Sequence, residues 1–237
     1  PINLIGVAIS TAAFPQLSDD AGAGDTDRFA KQLRSTLRTI VWLALPTAIG
    51  MFFVRGYIVS IIDRGGNSLI ATLLGILCIA TFLRSVFHLA SRSFYAFQDT
   101  KTPFRVSLVT LSISVALELW FVFGLHSGIM GVAWAQVIWA LLELVALFVL
   151  ILRKVPNLFT HKFWLAIFKM VAATVAMGVV TYLMVRIFNL RFENQNMLMV
   201  IFPLLLIMMV SGGDYGAASY LLRIEEIVPV IRFIRRL

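Results

Sequence analysis

Seven long apolar runs divide this sequence, and they constrain its fold more than any other feature. A helix needs about 20 mainly apolar residues to cross the hydrocarbon of a bilayer, which is about 30 Å thick. Seven stretches reach or approach that length: Pro1–Leu17, Thr39–Ile62, Leu69–Phe97, Val106–Leu125, Met130–Leu152, Phe163–Val185 and Met197–Leu222. With 60% hydrophobic and 14% charged residues, the chain has too little polar surface for a soluble domain. We therefore predict an all-α, polytopic transmembrane helix bundle of about seven spans.

The last run contains a polar interruption. It is apolar as far as Val210, and Ser211-Gly212-Gly213-Asp214 then precede a second apolar stretch from Tyr215. Either the helix continues through this segment, or it ends there and a short interfacial helix follows. Because Met197–Val210 is too short to span a bilayer alone, we favour a continuous helix.

The basic residues between the runs predict the orientation. The side that receives the first connection has thirteen of them: Arg28, Lys31, Arg34, Arg38, Lys101, Arg105, Arg153, Lys154, Lys162, Arg223, Arg232, Arg235 and Arg236. The opposite side has three: Arg64, Arg186 and Arg191. Cytoplasmic loops of membrane proteins carry the excess of Lys and Arg, so the C-terminus is predicted to be cytoplasmic. The net charge of +8 then reflects topology, and we expect no nucleic-acid partner.

Two segments outside the spans have amphipathic patterns. In the gap 18–38, Phe29, Leu33 and Leu37 recur on one face of a predicted cytoplasmic helix that begins at Asp27 and leads into the second span. In the tail 223–237, isoleucines form a similar stripe beside arginines: Ile224, Ile227, Ile231 and Ile234. The tail either lies on an anionic leaflet or serves only to fix the topology.

The sequence contains none of the motifs that would indicate an enzyme. It has no Gly-rich loop ending in Lys-Ser/Thr for nucleotide phosphates. Its three histidines have no second ligand three or four residues away, and Cys78 is the single cysteine. We therefore expect no catalytic group, no metal and no cofactor.

Three basic residues recur at intervals of four within the third run. Arg84, His88 and Arg92 fall on one stripe of a helix, because residues four apart lie one above the other. Charged groups inside a bilayer cost at least about 2.5–3.5 kcal/mol each unless they are paired or hydrated. The stripe is therefore expected to face a watery, protein-lined interior that accepts an anionic group. Internal pairing with acidic residues is the alternative.

Glu118 and Glu143 are the acidic residues within predicted spans. Counted from the outer helix ends, Arg84 and Glu143 lie within roughly 3 Å of the same level. Arg55 and Glu118 each lie seven residues from an outer end. The ion pairs Arg84–Glu143 and Arg55–Glu118 are thus compatible in height. The two glutamates differ in height by about 9 Å, which argues against a shared proton.

The connection after the third run carries a motif. The segment Phe94–Pro103 reads FYAFQDTKTP and resembles the Phe-Tyr-Ala…Asp-Thr-x-Thr-Pro signature of the MurJ (MviN) lipid II flippases. The residues that carry the match are Phe94, Tyr95, Asp99, Thr102 and Pro103. Further similar segments are Gly6–Ile9 with Thr11, Phe14–Ser18, Leu45-Pro46, Arg64-Gly65 and Gly128…Gly131–Ala133.

The resemblance implies the C-terminal half of a fourteen-helix flippase of the multidrug/oligosaccharidyl-lipid/polysaccharide exporter superfamily. Residues 1–152 would form most of the C-terminal transport lobe, 153–222 two helices that line a groove for a lipid tail, and 223–237 a basic tail. The implied substrate is the undecaprenyl-pyrophosphate-linked peptidoglycan precursor, moved from the inner to the outer leaflet of the bacterial cytoplasmic (inner) membrane by alternating access. Its implied partners are the missing N-terminal lobe, membrane lipids and cell-wall synthesis proteins.

The resemblance also assigns roles to residues. Arg84, His88 and Arg92 would line the transport cavity, although His88 stands where relatives often have Lys or Arg and is basic only when protonated. Glu118 matches an ion-coupling position of some relatives. Its expected companions are replaced by apolar groups: Val122, Trp134 and Ile138. The coupling ion is thus left open between proton and sodium, with the membrane potential as a third energy source. Two other functions stay open: export of another polyprenyl-linked oligosaccharide or a drug, and a non-transporting scaffold in cell-wall assembly.

Overall fold

The computed structural model describes residues 2–62, 67–188 and 197–228, and within these ranges all regular secondary structure is helical. The α-helices are α1 (Ile2–Gly22), α2 (Thr26–Ile62), α3 (Ser68–Ala96), α4 (Lys101–Leu119), α5 (Gly128–Lys154), α6 (His161–Phe188) and α7 (Met197–Leu221). A π-helical turn, Trp120–Gly124, extends α4, and a 3-10 turn, Glu225–Ile227, follows α7. The predicted all-α class is confirmed.

Six of the described helices, α2 to α7, are long and apolar enough to cross a membrane. The first helix has 21 residues but is not among these six; it contains Pro15 and ends near Asp19 and Asp20. The sequence predicted about seven spans. By length and composition the structure supports six of them, and the seventh predicted span corresponds to the less apolar helix α1.

The amphipathic segment and the second span form one helix. The 37 residues of α2 run from Thr26 to Ile62 without a break. The predicted apolar stripe is buried, since Phe29, Leu33 and Leu37 are each less than 5% exposed. The stripe therefore packs against other protein segments, with the Phe29 ring 4.5 Å from the ring of Phe97.

The polar interruption in the last run does not break the helix. The helix α7 continues through Ser211–Asp214, as predicted. The Thr181 hydroxyl of α6 donates a hydrogen bond of 2.8 Å to the Ser211 hydroxyl, so this polar segment has a partner on the neighbouring helix. Several other predictions concern residues outside the described ranges: Arg64-Gly65, Arg191 and the tail beyond Val228.

The chain divides into two compact units. Unit 1 comprises Pro1–Ala44 and Ile79–Trp164, and unit 2 comprises Leu45–Cys78 and the chain from Leu165 onward. The helices α2, α3 and α6 contribute to both units, because each of the three boundaries falls inside one of them. The division of the sequence after residue 152 concerns functional parts and stays a prediction.

In unit 1, α1 and α3 approach at a glycine. A Cβ atom on Gly6 would overlap the backbone of Ser85, so the two helix backbones are in direct contact. The Ser85 hydroxyl donates a hydrogen bond of 2.9 Å to the Ile2 carbonyl at the start of α1. Small residues at this crossing therefore permit both the close approach and the hydrogen bond.

In unit 2, α2, α6 and α7 share an apolar core. Its buried members are Val54, Tyr57, Val200 and Ile207. Partly buried side chains of α2, α6 and α7 pack around them: Ile58, Ile61, Met184, Val185, Phe188 and Leu204. The ends of α2 and α6 are thereby held together with the first half of α7.

Candidate functional site

The predicted cationic stripe lies on α3, and all three of its side chains are half-buried. The guanidinium carbon of Arg84 lies 3.9 Å from the ring centroid of Trp139, which is on α5. A cation over an aromatic face is stabilised by about 0.5–2 kcal/mol and keeps its charge. The Trp139 ring therefore holds the Arg84 head group in place without neutralising it.

His88 connects the stripe to α1. Its Nε2 lies 2.9 Å from Oδ1 of Asn3, and this hydrogen bond requires the proton on Nε2 when the amide oxygen accepts. Arg92, one turn further along, has no hydrogen bond or ion pair with any described residue. Its donors are available to a ligand or to water, since a guanidinium carries five N–H groups.

A row of polar contacts joins α4 and α5, and we call it the α4–α5 seam. At one end, the Ser107 hydroxyl donates a hydrogen bond of 2.6 Å to Glu143, which is only 2% exposed. Next to it, Trp139 Nε1 donates to the Thr110 hydroxyl at 3.3 Å. As the residue number rises on α4 it falls on α5, as antiparallel helices require.

The other end of the seam is centred on Glu118. Its Oε1 accepts a hydrogen bond of 2.8 Å from Gln136 Nε2 and a longer one of 3.3 Å from the Ser114 hydroxyl. Both carboxyl groups of the seam are thus bonded to neutral donors. In the described part of the chain, no group of three or more His, Cys, Asp or Glu side chains is placed to hold a metal ion.

The ion pair Arg84–Glu143 was compatible in height only, and the structure gives the two side chains other contacts. Both residues are described, yet Glu143 is bonded to Ser107 and Arg84 stacks on Trp139, one turn from Glu143 on the same helix. The sequence count places the two residues at a similar level, but their side chains make different contacts. Burying a pair of ions requires removal of both hydration shells, and here each group finds a contact that avoids a shared buried ion pair.

Arg55 belongs to unit 2 and Glu118 to unit 1, so their pairing stays a prediction. The Arg55 side chain folds back on its own helix. Its Nη1 donates a hydrogen bond of 2.6 Å to the Phe52 carbonyl, and its guanidinium lies 4.3 Å from the Phe52 ring centroid.

Sequence reasoning missed most of the α4–α5 seam. The signal was present, because polar residues recur at helical spacing on both helices: Ser107, Thr110, Ser114 and Glu118 on one, Gln136, Trp139 and Glu143 on the other. Hydroxyl and amide side chains between apolar residues are easily treated as incidental. Their periodicity, rather than the charge of two members, marked the contact face.

The loop motif forms a cap at the start of α4. Asp99 accepts hydrogen bonds from the backbone N–H of Thr102 at 3.0 Å and from its hydroxyl at 2.8 Å. Lys154, at the end of α5, donates to the same carboxylate at 2.9 Å. The Lys154 ammonium, followed by the Thr102 hydroxyl, lowers the pKa of Asp99 to about 2. Pro103 is buried in the first turn of α4, where a missing N–H is tolerated.

Aromatic contacts complete the loop. Phe94 is fully buried, whereas Tyr95 is 43% exposed. The Lys154 ammonium lies 5.2 Å from the ring centroid of Phe94 and 5.4 Å from that of Phe97. The motif therefore fixes the ends of α3, α4 and α5 against one another, and no substrate role of its residues follows from these contacts.

A family model described as "Lipid II flippase MurJ" matches residues 1–207. The "Probable lipid II flippase MurJ" of Thermotoga maritima is 29% identical over 238 residues, covering 98% of this chain and 45% of the relative. That of Haemophilus influenzae is 25% identical, covering 95% of this chain and 46% of the relative. The chain therefore spans somewhat less than half the length of these curated relatives.

A solved structure has the same fold. The chain described as "Lipid II flippase MurJ, inward closed conformation" superposes with a TM-score of 0.65 at 24% sequence identity. The similarity covers 92% of this chain and 44% of that one. Both comparisons place the similarity over almost the whole chain, and neither relies on a single motif.

Proposed function

The chain belongs to the lipid II flippase MurJ family, and we propose that it is the C-terminal part of a lipid II flippase. The observation that carries this proposal is the family match over residues 1–207. The complete transporter moves the undecaprenyl-pyrophosphate-linked peptidoglycan precursor from the inner to the outer leaflet by alternating access. It needs an N-terminal lobe as its partner, works without a cofactor and catalyses no covalent step.

The cationic stripe of α3 supplies the contact with the pyrophosphate in this proposal. Arg84 retains its charge on the Trp139 face, and Arg92 has free donors. Half-buried cations within a span are costly beside lipid but favourable beside an anion. A pyrophosphate that enters between the lobes would therefore be attracted to this face of α3, with His88 contributing charge when it is protonated.

The protein is a multi-pass membrane protein, and we place it in the inner membrane with its C-terminus in the cytoplasm. The excess of basic residues on one side supports this orientation. Transport would be driven by a proton gradient, a sodium gradient or the membrane potential. Glu118 is the proposed coupling residue, because it is half-buried and bonded to neutral donors that tolerate either protonation state.

The decisive experiment is replacement of the resident flippase. The full-length protein that contains this chain is expressed in a bacterium depleted of its own lipid II flippase, and growth is followed together with the amount of lipid II accessible from outside. We expect rescue by the parent protein and loss of rescue by Arg84→Ala at equal expression. Arg153→Ala, which removes a charge at the end of α5, is the matched control and should rescue.

Each outcome has a clear meaning. No rescue by the well-expressed parent protein would contradict the flippase proposal and favour a non-transporting scaffold. Rescue by Arg84→Ala would remove Arg84 from the transport path. A Glu118→Gln variant whose transport retains its full dependence on the proton gradient would exclude Glu118 as the coupling residue.

A further inference from the structure

Unit 2 contains a cavity that the proposed transport path does not use. Its volume is about 610 Å³, and it is lined by the end of α2, the beginning of α3 and the end of α6. The lining includes Ser60 near the end of α2, Ser68 at the start of α3 and Arg186 near the end of α6. The cavity therefore lies at one end of these three helices, at the level of a membrane surface.

The described lining of this cavity is cationic. It contains Arg55 and Arg186 and no acidic side chain. Arg186 Nε donates a hydrogen bond of 2.9 Å to the Tyr182 hydroxyl, and Arg55 uses Nη1 for the Phe52 carbonyl. Each guanidinium keeps further N–H donors, which suit the oxygens of a phosphate group.

Hydroxyl groups also line the cavity. Ser60, Ser68 and Thr72 lie beside the two arginines, and the Ser60 and Thr72 hydroxyls donate to the backbone carbonyls of Gly56 and Ser68. Tyr57 also lines the cavity, and the Tyr57 side chain is only 3% exposed. Its hydroxyl is buried and has no hydrogen-bond partner among the described residues.

An apolar groove adjoins the cavity. It has a volume of about 440 Å³ and runs between α2 and α6. Its walls are almost entirely apolar, and it shares Phe53 and Tyr182 with the cavity. The rest of its main lining comes from Leu45, Ile49, Val171, Val175, Gly178 and Val179. At Gly178 a Cβ atom would lie 3.3 Å from the Phe53 ring, so the absence of a side chain keeps the groove open.

We propose that the cavity and groove bind an anionic glycerophospholipid of the surrounding bilayer, with its phosphate between Arg55 and Arg186 and an acyl chain along α2 and α6. The charge of the lining selects an anionic head group, and the apolar groove selects a lipid over a free anion. The cavity volume is in the range of small-molecule sites and is too small for a disaccharide-peptide head group. The cavity and groove belong to unit 2, whereas the cationic stripe of α3 belongs to unit 1.

The test measures lipid retention by the full-length protein in detergent. Phosphatidylglycerol and phosphatidylcholine with identical oleoyl chains are added, and bound lipid is counted by native mass spectrometry. We expect preferential retention of phosphatidylglycerol. The double variant Arg55→Gln/Arg186→Gln should weaken the binding of phosphatidylglycerol roughly 30-fold, because each arginine near a membrane surface contributes about 1 kcal/mol. Arg153→Gln/Lys162→Gln removes the same charge from unit 1 and should leave binding unchanged.

A second variant tests the groove. Gly178→Leu fills the space beside Phe53 and Ile49, and we expect it to reduce retention of phosphatidylglycerol while the arginines remain intact. Equal retention of the two lipids, or unchanged binding in the double arginine variant, would overturn the proposal. Displacement of the lipid by inorganic phosphate at equal concentration, with Gly178→Leu without effect, would show a simple anion site and overturn it as well. Loss of flippase rescue would affect neither result.

Discussion

Two helix contacts in unit 1 are built in different ways. At the α1–α3 contact the backbones touch, because Gly6 has no side chain and Ser85 lies directly opposite. At the α4–α5 seam the helices are joined by side-chain hydrogen bonds: Ser107–Glu143, Thr110–Trp139 and Glu118–Gln136. One contact depends on the absence of atoms, and the other depends on polar atoms within an apolar sequence.

The difference illustrates how helices associate when lipid is as apolar as their side chains. Burial of apolar surface adds little in a bilayer, so packing and hydrogen bonds decide which faces meet. A glycine contact tolerates no added atom, because a backbone cannot rotate away as a side chain can. A hydrogen-bonded seam distributes its stability over several pairs, and the loss of one pair is expected to be modest.

The largest effect is expected at Gly6. Gly6→Ala places a Cβ atom into the Ser85 backbone and should lower the free energy of unfolding by about 1–3 kcal/mol, as overpacking does. Gly22→Ala, in the same helix, is the control, because a Cβ there meets nothing within 4 Å. Unfolding in mixed micelles measures both variants. Equal free energies of unfolding for Gly6→Ala and Gly22→Ala would show that the α1–α3 contact does not contribute to stability.

A smaller effect is expected in the α4–α5 seam. A double-mutant cycle with Ser107→Ala and Glu143→Leu should give a coupling energy of about 0.6 kcal/mol and no more than about 1.7 kcal/mol, as for other hydrogen bonds within membranes. The same unfolding assay provides the four values. Ser112→Ala is the matched control, because the Ser112 hydroxyl bonds only within its own helix, to Leu108. If Ser112 had as large a coupling energy with Glu143 as Ser107 has, the assigned Ser107–Glu143 hydrogen bond would be contradicted.

The smallest effect is expected outside both contacts, at the loop cap. Asp99 has its pKa lowered from 3.8 to about 2, chiefly by Lys154, so it binds protons less readily in the folded than in the unfolded state. Its contribution to stability is therefore fully present above pH 3.8 and is lost as the pH falls through about 2. The difference in the free energy of unfolding between the parent protein and Lys154→Met should follow that course and amount to about 0.2–1 kcal/mol.

This pH dependence has its own control. In an Asp99→Asn background the carboxyl group is absent, so the effect of Lys154→Met on the free energy of unfolding should no longer depend on pH in this range. Added salt should reduce the difference as well, because the pair is partly exposed. A difference that instead grows as the pH falls towards 2 would exclude the ion pair as its source.

Periodicity and length in the sequence were sufficient for much of the fold. The long apolar runs predicted the helices, because the unsatisfied backbone of a lipid-exposed segment leaves few alternatives. The spacing of Phe29, Leu33 and Leu37 predicted an amphipathic helix, and the structure buries its apolar face. The shortness of Met197–Val210 predicted that α7 continues. The ordered motifs around Phe94–Pro103 predicted the family, which the match over residues 1–207 confirms.

The sequence determined which side chains lie inside the bilayer and at what height, since the helical rise per residue is fixed. Only the tertiary structure decided their partners. The sequence placed Arg84 and Glu143 at a similar level, yet one stacks on Trp139 and the other accepts a hydrogen bond from Ser107. The rotation of each helix about its axis, and the neighbour that each face meets, result from packing between distant segments. Height is a local property of a helix, whereas a contact belongs to two helices at once.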